Sequence, residues 1–167
     1  WGDNLIHAAK RMDIEAVRQY LIDETDVNTK DERGWTALHH SVLLADNETV
    51  MILIDNGADV NAVDLLGRTA LIMASYRGNL PIVKLLIDSK ADVNAADSYG
   101  NTPLVSASRS GNLPIAQVLI DSKADVNAEE EGGTTALMQA SSQGYLPIAK
   151  LLIDNKADVN AAMAGGT

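Results

Sequence analysis

Apolar residues in this chain come in short bursts separated by polar punctuation at regular intervals. In residues 64–96, "ALIMASYR" follows Thr69 and predicts a helix of about two turns with Leu71 and Ala74 on one face, Thr69 standing where an N-cap belongs. Gly78 ends that helix. Asn79 caps a second one, "IVKLLID", with Pro81 in the first turn, where its missing N–H costs nothing, and with Ile82, Val83, Leu85 and Leu86 apolar. Ahead of the pair, "DLLG" joins an Asp that can bond the backbone to a Gly that tolerates positive φ, which predicts a tight turn. Behind it, "ADVNA" is expected to lead out in extended form.

The same sentence recurs. "GNLPIVKLLIDSKADVN" from Gly78 returns as "GNLPIAQVLIDSKADVN" from Gly111 and "GYLPIAKLLIDNKADVN" from Gly144, each 33 residues after the last. Aligning on "DVN" divides the chain into a partial unit over 1–30, full units over 31–63, 64–96, 97–129 and 130–162, and the opening of another at 163–167. Helices this short are marginal alone, so each unit must stack on its neighbour to bury its faces. Ala70, Ala74, Ala107, Ala136 and Ala140 leave room for close approach. The expectation is a single domain over 1–167, an all-α repeat solenoid of helix-turn-helix units joined by β-hairpin-like turns.

The helix entries "TALH" from Thr36, "TALI" from Thr69, "TPLV" from Thr102 and "TALM" from Thr135 resemble the ankyrin-repeat signature, and turn Gly, mid-unit Gly and "ADVNA" share its register over essentially the whole chain. Some positions depart from it. His39 follows "TAL" once, whereas Ile72, Val105 and Met138 replace it later, so a ladder of imidazoles is not expected. Lys90, Lys123 and Lys156 stand where the family usually has Gly, as at Gly57; a left-handed conformation there costs on the order of 1 kcal/mol each. Lys10, Arg11, Arg18 and Gln19 make the first unit resemble an N-terminal cap. After Ala162, "MAGGT" opens a further unit in register, so the chain is expected to continue in its parent and the last unit to expose apolar surface. Each "DVN" Asn of the full units follows a Leu by eight residues, as Leu86 precedes Asn94. That spacing resembles substrates of an asparaginyl hydroxylase in animals, although a turn-stabilising Asn accounts for it without modification.

Composition narrows the interior to aliphatic residues, since 46% of the chain is hydrophobic but only 4% aromatic, with no Phe. No apolar run approaches the roughly 18 to 20 residues of a membrane-spanning helix, so membrane insertion is not expected. The absence of Cys removes disulfides and thiolate chemistry without naming a compartment, and localisation is left unassigned. The chain begins at Trp1 without a basic-then-apolar leader, as expected of an internal piece or a processed product. A formal charge of −10 argues against nucleic acid. About half the acids belong to the repeat itself, in "DVN", in "ID" and at the unit openings Asp31, Asp64 and Asp97.

Catalytic patterns are not found. His39 and His40 are adjacent and point apart on a helix, and neither they nor His7 has a ligand pair at the i, i+4 spacing of a helical zinc site. Ser106, Ser108 and Ser110 lack an elbow motif, the "DVN" acids are spread one per unit rather than clustered for calcium, and the glycines near "EEGG" lack a phosphate loop's Lys. Neither an enzyme, a cofactor nor a metal is implied.

The resemblance implies recognition on turn tips and the exposed side of the first helices, a concave surface. Carried over by position, that surface takes Arg33, Trp35, Leu43, Leu44, Leu65, Leu66, Arg68, Tyr76, Arg77, Tyr99 and Arg109. Its Trp, Tyr and Arg, the side chains that dominate interface hot spots, gather in the middle three units. The expectation is a non-catalytic module binding another protein or a peptide segment that offers an apolar anchor and acidic flanks. The alternative is a structural or regulatory segment of a larger protein, packed on a domain outside this chain. A monomer is expected, with weak self-association through the uncapped last unit.

Overall fold

A computed structural model describes residues 4–163. Trp1, and the part of the expected sixth unit that follows Met163, lie outside the described residues. Ten α-helices succeed one another among those residues: α1 (Leu5–Lys10), α2 (Ile14–Ile22), α3 (Ala37–Leu43), α4 (Asn47–Asp55), α5 (Ala70–Arg77), α6 (Leu80–Asp88), α7 (Pro103–Ser110), α8 (Leu113–Asp121), α9 (Ala136–Ser142) and α10 (Leu146–Asp154). The odd-numbered helices pack side by side in one layer and the even-numbered in a second, each odd helix also packing on the even helix that follows it.

Polar punctuation sets the helix ends. Asn4, Asp13, Thr36, Asp46, Thr69, Asn79, Thr102, Asn112 and Thr135 each accept a hydrogen bond from the backbone N–H three residues on, satisfying one of the donors a helix start leaves open. α10 is the exception, because Tyr145 stands where Asn79 and Asn112 stood and makes no such bond. Its ring lies instead so close over Gly111 that a Cβ there would sit 2.7 Å from Cζ.

Packing follows the stripe. Leu71, Ala74, Ile82, Val83 and Leu86 of the third pair are fully buried, and so are Leu104, Ala107, Ile115, Ala116 and Leu119 of the fourth. One continuous core runs from Leu5 to Ala157. Burying a Leu or Ile side chain contributes about 1.5 to 3 kcal/mol, and most of that contact crosses from one pair to the next.

Two polar seams tie the pairs together. At the turn tips, Leu65 N–H donates to Arg33 O, Ser98 N–H to Leu66 O and Glu131 N–H to Tyr99 O, at 3.1, 2.9 and 2.8 Å. At the opposite edge the expected extended "ADVNA" is a turn over Val93 and Asn94, because Asp92 accepts the Asn94 N–H at 2.9 Å and folds the backbone on itself. Asn94 is thereby aimed at the next pair, where its Oδ1 accepts from Asp125 N–H at 2.7 Å and its Nδ2 donates to Lys123 O at 3.2 Å. Asn28, Asn61 and Asn127 repeat both bonds. Lys90, Lys123 and Lys156 adopt the left-handed conformation, with φ of +71, +72 and +71°, and their carbonyls are the acceptors. The hairpin-like turns form no strand among the described residues, only an isolated bridge between Glu129 and Thr135.

Candidate functional site

Each turn tip is built around its Asp. Asp64 accepts the backbone N–H groups of Leu66 and Arg68, both at 2.9 Å, while Gly67 supplies a φ of +75° that closes the loop. This leaves Leu65 pointing away from the protein, 74% exposed, and Leu66 beside it, 41% exposed. In the next tip Asp97 does the same for Tyr99 and Asn101, and Tyr99 is 53% exposed.

Trp35 departs from the expected exposed anchor, since only 7% of it reaches solvent. Its indole N–H donates to Asp64 Oδ2 at 3.0 Å, and the same carboxylate takes Arg68 Nε at 2.8 Å. The Arg68 guanidinium lies 5.6 Å over the indole, so ring, cation and carboxylate form one packed group across two pairs. Burial would raise the Asp64 carboxyl pKa, but the hydrogen bonds from the Arg68 side chain and from the Arg68 and Leu66 backbones outweigh it and hold the group below its usual range.

Two histidines back this arrangement. His39 Nδ1 accepts from Thr36 N–H at 3.2 Å while its Nε2–H donates to Arg68 O at 3.3 Å, closing a capping box at the start of α3. His40 packs with its ring centroid 4.9 Å from that of Trp35 and donates from Nε2 to Asp31 at 2.8 Å. Burial lowers the pKa of both rings, against the opposing pull of Arg68 O on His39 and of Asp31 on His40. Asp31 is also lowered: burial raises it, and the bonds from His40, Trp35 N–H and Arg33 N–H prevail. The shifts agree on a neutral imidazole donating to a carboxylate anion. Among the described residues no three His, Asp or Glu come together as metal ligands, and no helix is long and apolar enough to cross a membrane.

Beside this buried group lies a cleft of about 450 Å³, with Trp35 and Leu43 on one side, Ile72, Met73 and Tyr76 along α5, and Asn101, Ser106 and Arg109 on the other. Arg68, Arg77 and Asp97 complete its lining. Of the positions carried over from the sequence, this brings together Trp35, Leu43, Arg68, Tyr76, Arg77 and Arg109. Leu44, at the end of α3, and the tip residues Arg33, Leu65, Leu66 and Tyr99 are exposed outside it. Sequence reasoning placed Asn101 among the turn tips and missed Ile72, Met73, Asp97 and Ser106. A signal existed for two of them, since Met73 and Ser106 precede Tyr76 and Arg109 by three residues and therefore share their helix face.

The guanidiniums differ in what they have left to offer. Arg68 is ion-paired to Asp64, and Arg109 to Glu130, which Gln139 also holds at 2.7 Å. Arg33 and Arg77 are exposed, and their side chains have no partner among the described residues.

Comparison with known proteins agrees with this architecture. The pattern of ankyrin repeats matches three overlapping stretches, residues 2–64, 43–130 and 96–163. A Medicago truncatula protein, "Protein VAPYRIN-LIKE", is 46% identical over 39 residues, which is 23% of this chain and 8% of that protein. Ankyrin repeats are generally protein-interaction modules and typically non-catalytic. With matches running from residue 2 to residue 163, and stacked helix pairs throughout, the chain belongs to the ankyrin-repeat family.

Proposed function

We propose that the array is a non-catalytic module that binds a protein or peptide segment on the concave face of its second to fourth units. The observation that carries this reading is a contrast of surfaces. On a chain of net charge −10, Leu65, Leu66 and Tyr99 at the turn tips and Tyr76 on α5 are exposed apolar or aromatic side chains, and the exposed Arg33 and Arg77 have no side-chain partner among the described residues. Aromatic, Met and Arg side chains around the cleft match the composition of an interface centre, and the unpaired cations favour a partner with acidic flanks. Trp35 serves as the rigid floor of that surface rather than as a protruding anchor.

The test is affinity capture from a lysate of the source organism, comparing the array with a Tyr76→Ala, Arg77→Ala variant of equal melting temperature. The reading expects a protein retained by the first and lost from the second; retention by both alike would remove the concave face from consideration.

A second reading, a segment that packs against another domain of a larger protein, draws on the far end of the array. Leu146, Ile153 and Val159 are 75, 49 and 62% exposed, whereas Leu80, Ile87 and Val93 at the same positions of the third pair are partly buried. The same capture separates the readings. A partner lost with Leu146→Glu but kept with Tyr76→Ala, Arg77→Ala belongs to the end face.

A further inference from the structure

We infer that the cleft between α3, α5 and α7 is a pocket for one aromatic side chain with a polar tip, Trp or Tyr, carried by an extended peptide that places a carboxylate on Arg77. This rests on the concave-face reading and specifies what that face accepts. The cleft, at about 450 Å³, falls in the range of pockets that enclose a ligand group, and its walls are chiefly apolar.

Its three arginines play two roles. Arg68 and Arg109 have their charge met by Asp64 and Glu130, so what they present is a flat guanidinium face held in place, with Arg68 already stacked on Trp35. Flat cations, together with the Met73 thioether, favour a π-system over an aliphatic side chain of similar area. Arg77 keeps its charge free, which gives the cleft one point for an anion. The Asp97 carboxylate is turned into its own loop, where it accepts from Tyr99 N–H, Asn101 N–H and the Asn101 amide.

The polar tip is assigned from Ser106. This residue lines the cleft, and its hydroxyl, left open to solvent there, bonds no other group among the described residues. A side chain that fills the cleft strips water from that hydroxyl, and an indole N–H or phenol O–H would replace the lost bond where Leu or Phe would not. A peptide is favoured over a free small molecule because Leu66 and Tyr99, on the turn tips whose Arg68, Asp97 and Asn101 line the cleft, are themselves exposed.

The experiment titrates the isotope-labelled chain with capped heptapeptides: Trp at the centre with Asp and Glu flanks, the same peptide with Leu at the centre, and the Trp peptide with Lys flanks. N-acetyltryptophanamide is the fourth probe. The acidic Trp peptide is expected to shift the Trp35 indole resonance and to bind about tenfold more tightly than the Leu peptide and than N-acetyltryptophanamide. Arg77→Ala, an exposed helix-end change, is expected to weaken it about tenfold, and Lys flanks to do so without altering the protein. Equal binding of Leu and Trp peptides, both lost in Tyr76→Ala, Arg77→Ala, would overturn the aromatic pocket and leave the concave-face reading standing. Equal binding of acidic and basic peptides, or of N-acetyltryptophanamide, would overturn the carboxylate or the peptide. Binding indifferent to the double variant, or none of the four probes binding, would overturn the pocket, and indifference would also count against the face.

Discussion

Four ionisable side chains around Trp35 make this protein's stability a function of pH. His39 and His40 are held neutral by burial, so their folded pKa values lie below the usual 6.5. Once the pH falls below about 6.5 the unfolded chain takes up protons that the folded one refuses, and stability declines. Asp31 and Asp64, also lowered in the folded state, act in the same direction at more acidic pH, where the unfolded carboxylates protonate first. Urea midpoints measured against pH are therefore expected to be flat above about pH 7, to fall between about 6.5 and 5, and to fall again below about 4. A His39→Gln, His40→Gln variant should lose the first decline and keep the second. Persistence of the first decline in that variant would assign it elsewhere.

Pairs of helices are joined by a ladder whose rungs can be removed singly. Asn94 accepts from Asp125 N–H and donates to Lys123 O, so Asn94→Ala deletes two bonds between the third and fourth pairs. At about 0.5 to 1.5 kcal/mol each, reduced by their exposure, the loss should be about 1 to 2 kcal/mol. Asn160 has the same local turn, with Asp158 accepting its N–H at 2.8 Å, but its side chain bonds nothing among the described residues. Asn160→Ala is expected to cost less than about 0.5 kcal/mol in the same denaturation measurement. Equal losses at both positions would mean that the Asn acts within its own turn and not between pairs. The ladder also gives the left-handed lysines a context: each bears a conformational cost on the order of 1 kcal/mol while its carbonyl meets the Asn of the preceding pair.

The first and last described pairs are built differently. Gln19 on α2 occupies the position of Ile52, Leu85, Val118 and Leu151; it is exposed and donates to Asp23 at 3.0 Å, where its counterparts are buried or partly so. At the other end Leu146, Ile153 and Val159 keep the apolar identities of interior pairs while standing exposed. An apolar face of this kind favours association. Sedimentation velocity over a dilution series is expected to show concentration-dependent self-association that Leu146→Lys removes and Tyr76→Ala, Arg77→Ala leaves unchanged. A single species at all concentrations would show that the end face does not hold a second copy.

What the sequence by itself determined was most of what closes within a few residues, the turn between Asp92 and Asn94 being read as extended chain instead. The caps Thr69 and Asn79, the stop at Gly78, the Asp64 turn and the left-handed Lys90 all rest on bonds or sterics spanning at most four positions, and the 33-residue return of the same words required the units to stack. Tertiary structure decided what depends on a neighbour about 30 residues away. Trp35 reads as an exposed turn residue until Asp64 and Arg68 of the next pair take its N–H and cover its ring, and the Asn of "ADVNA" reads as a local turn residue until its side chain is seen to bond the following pair. The cleft is drawn from three pairs at once, so Ile72 and Asp97 enter it through stacking rather than through any local pattern. A helix face can be read from spacing, but which part of that face meets solvent is set by side chains contributed from outside the helix.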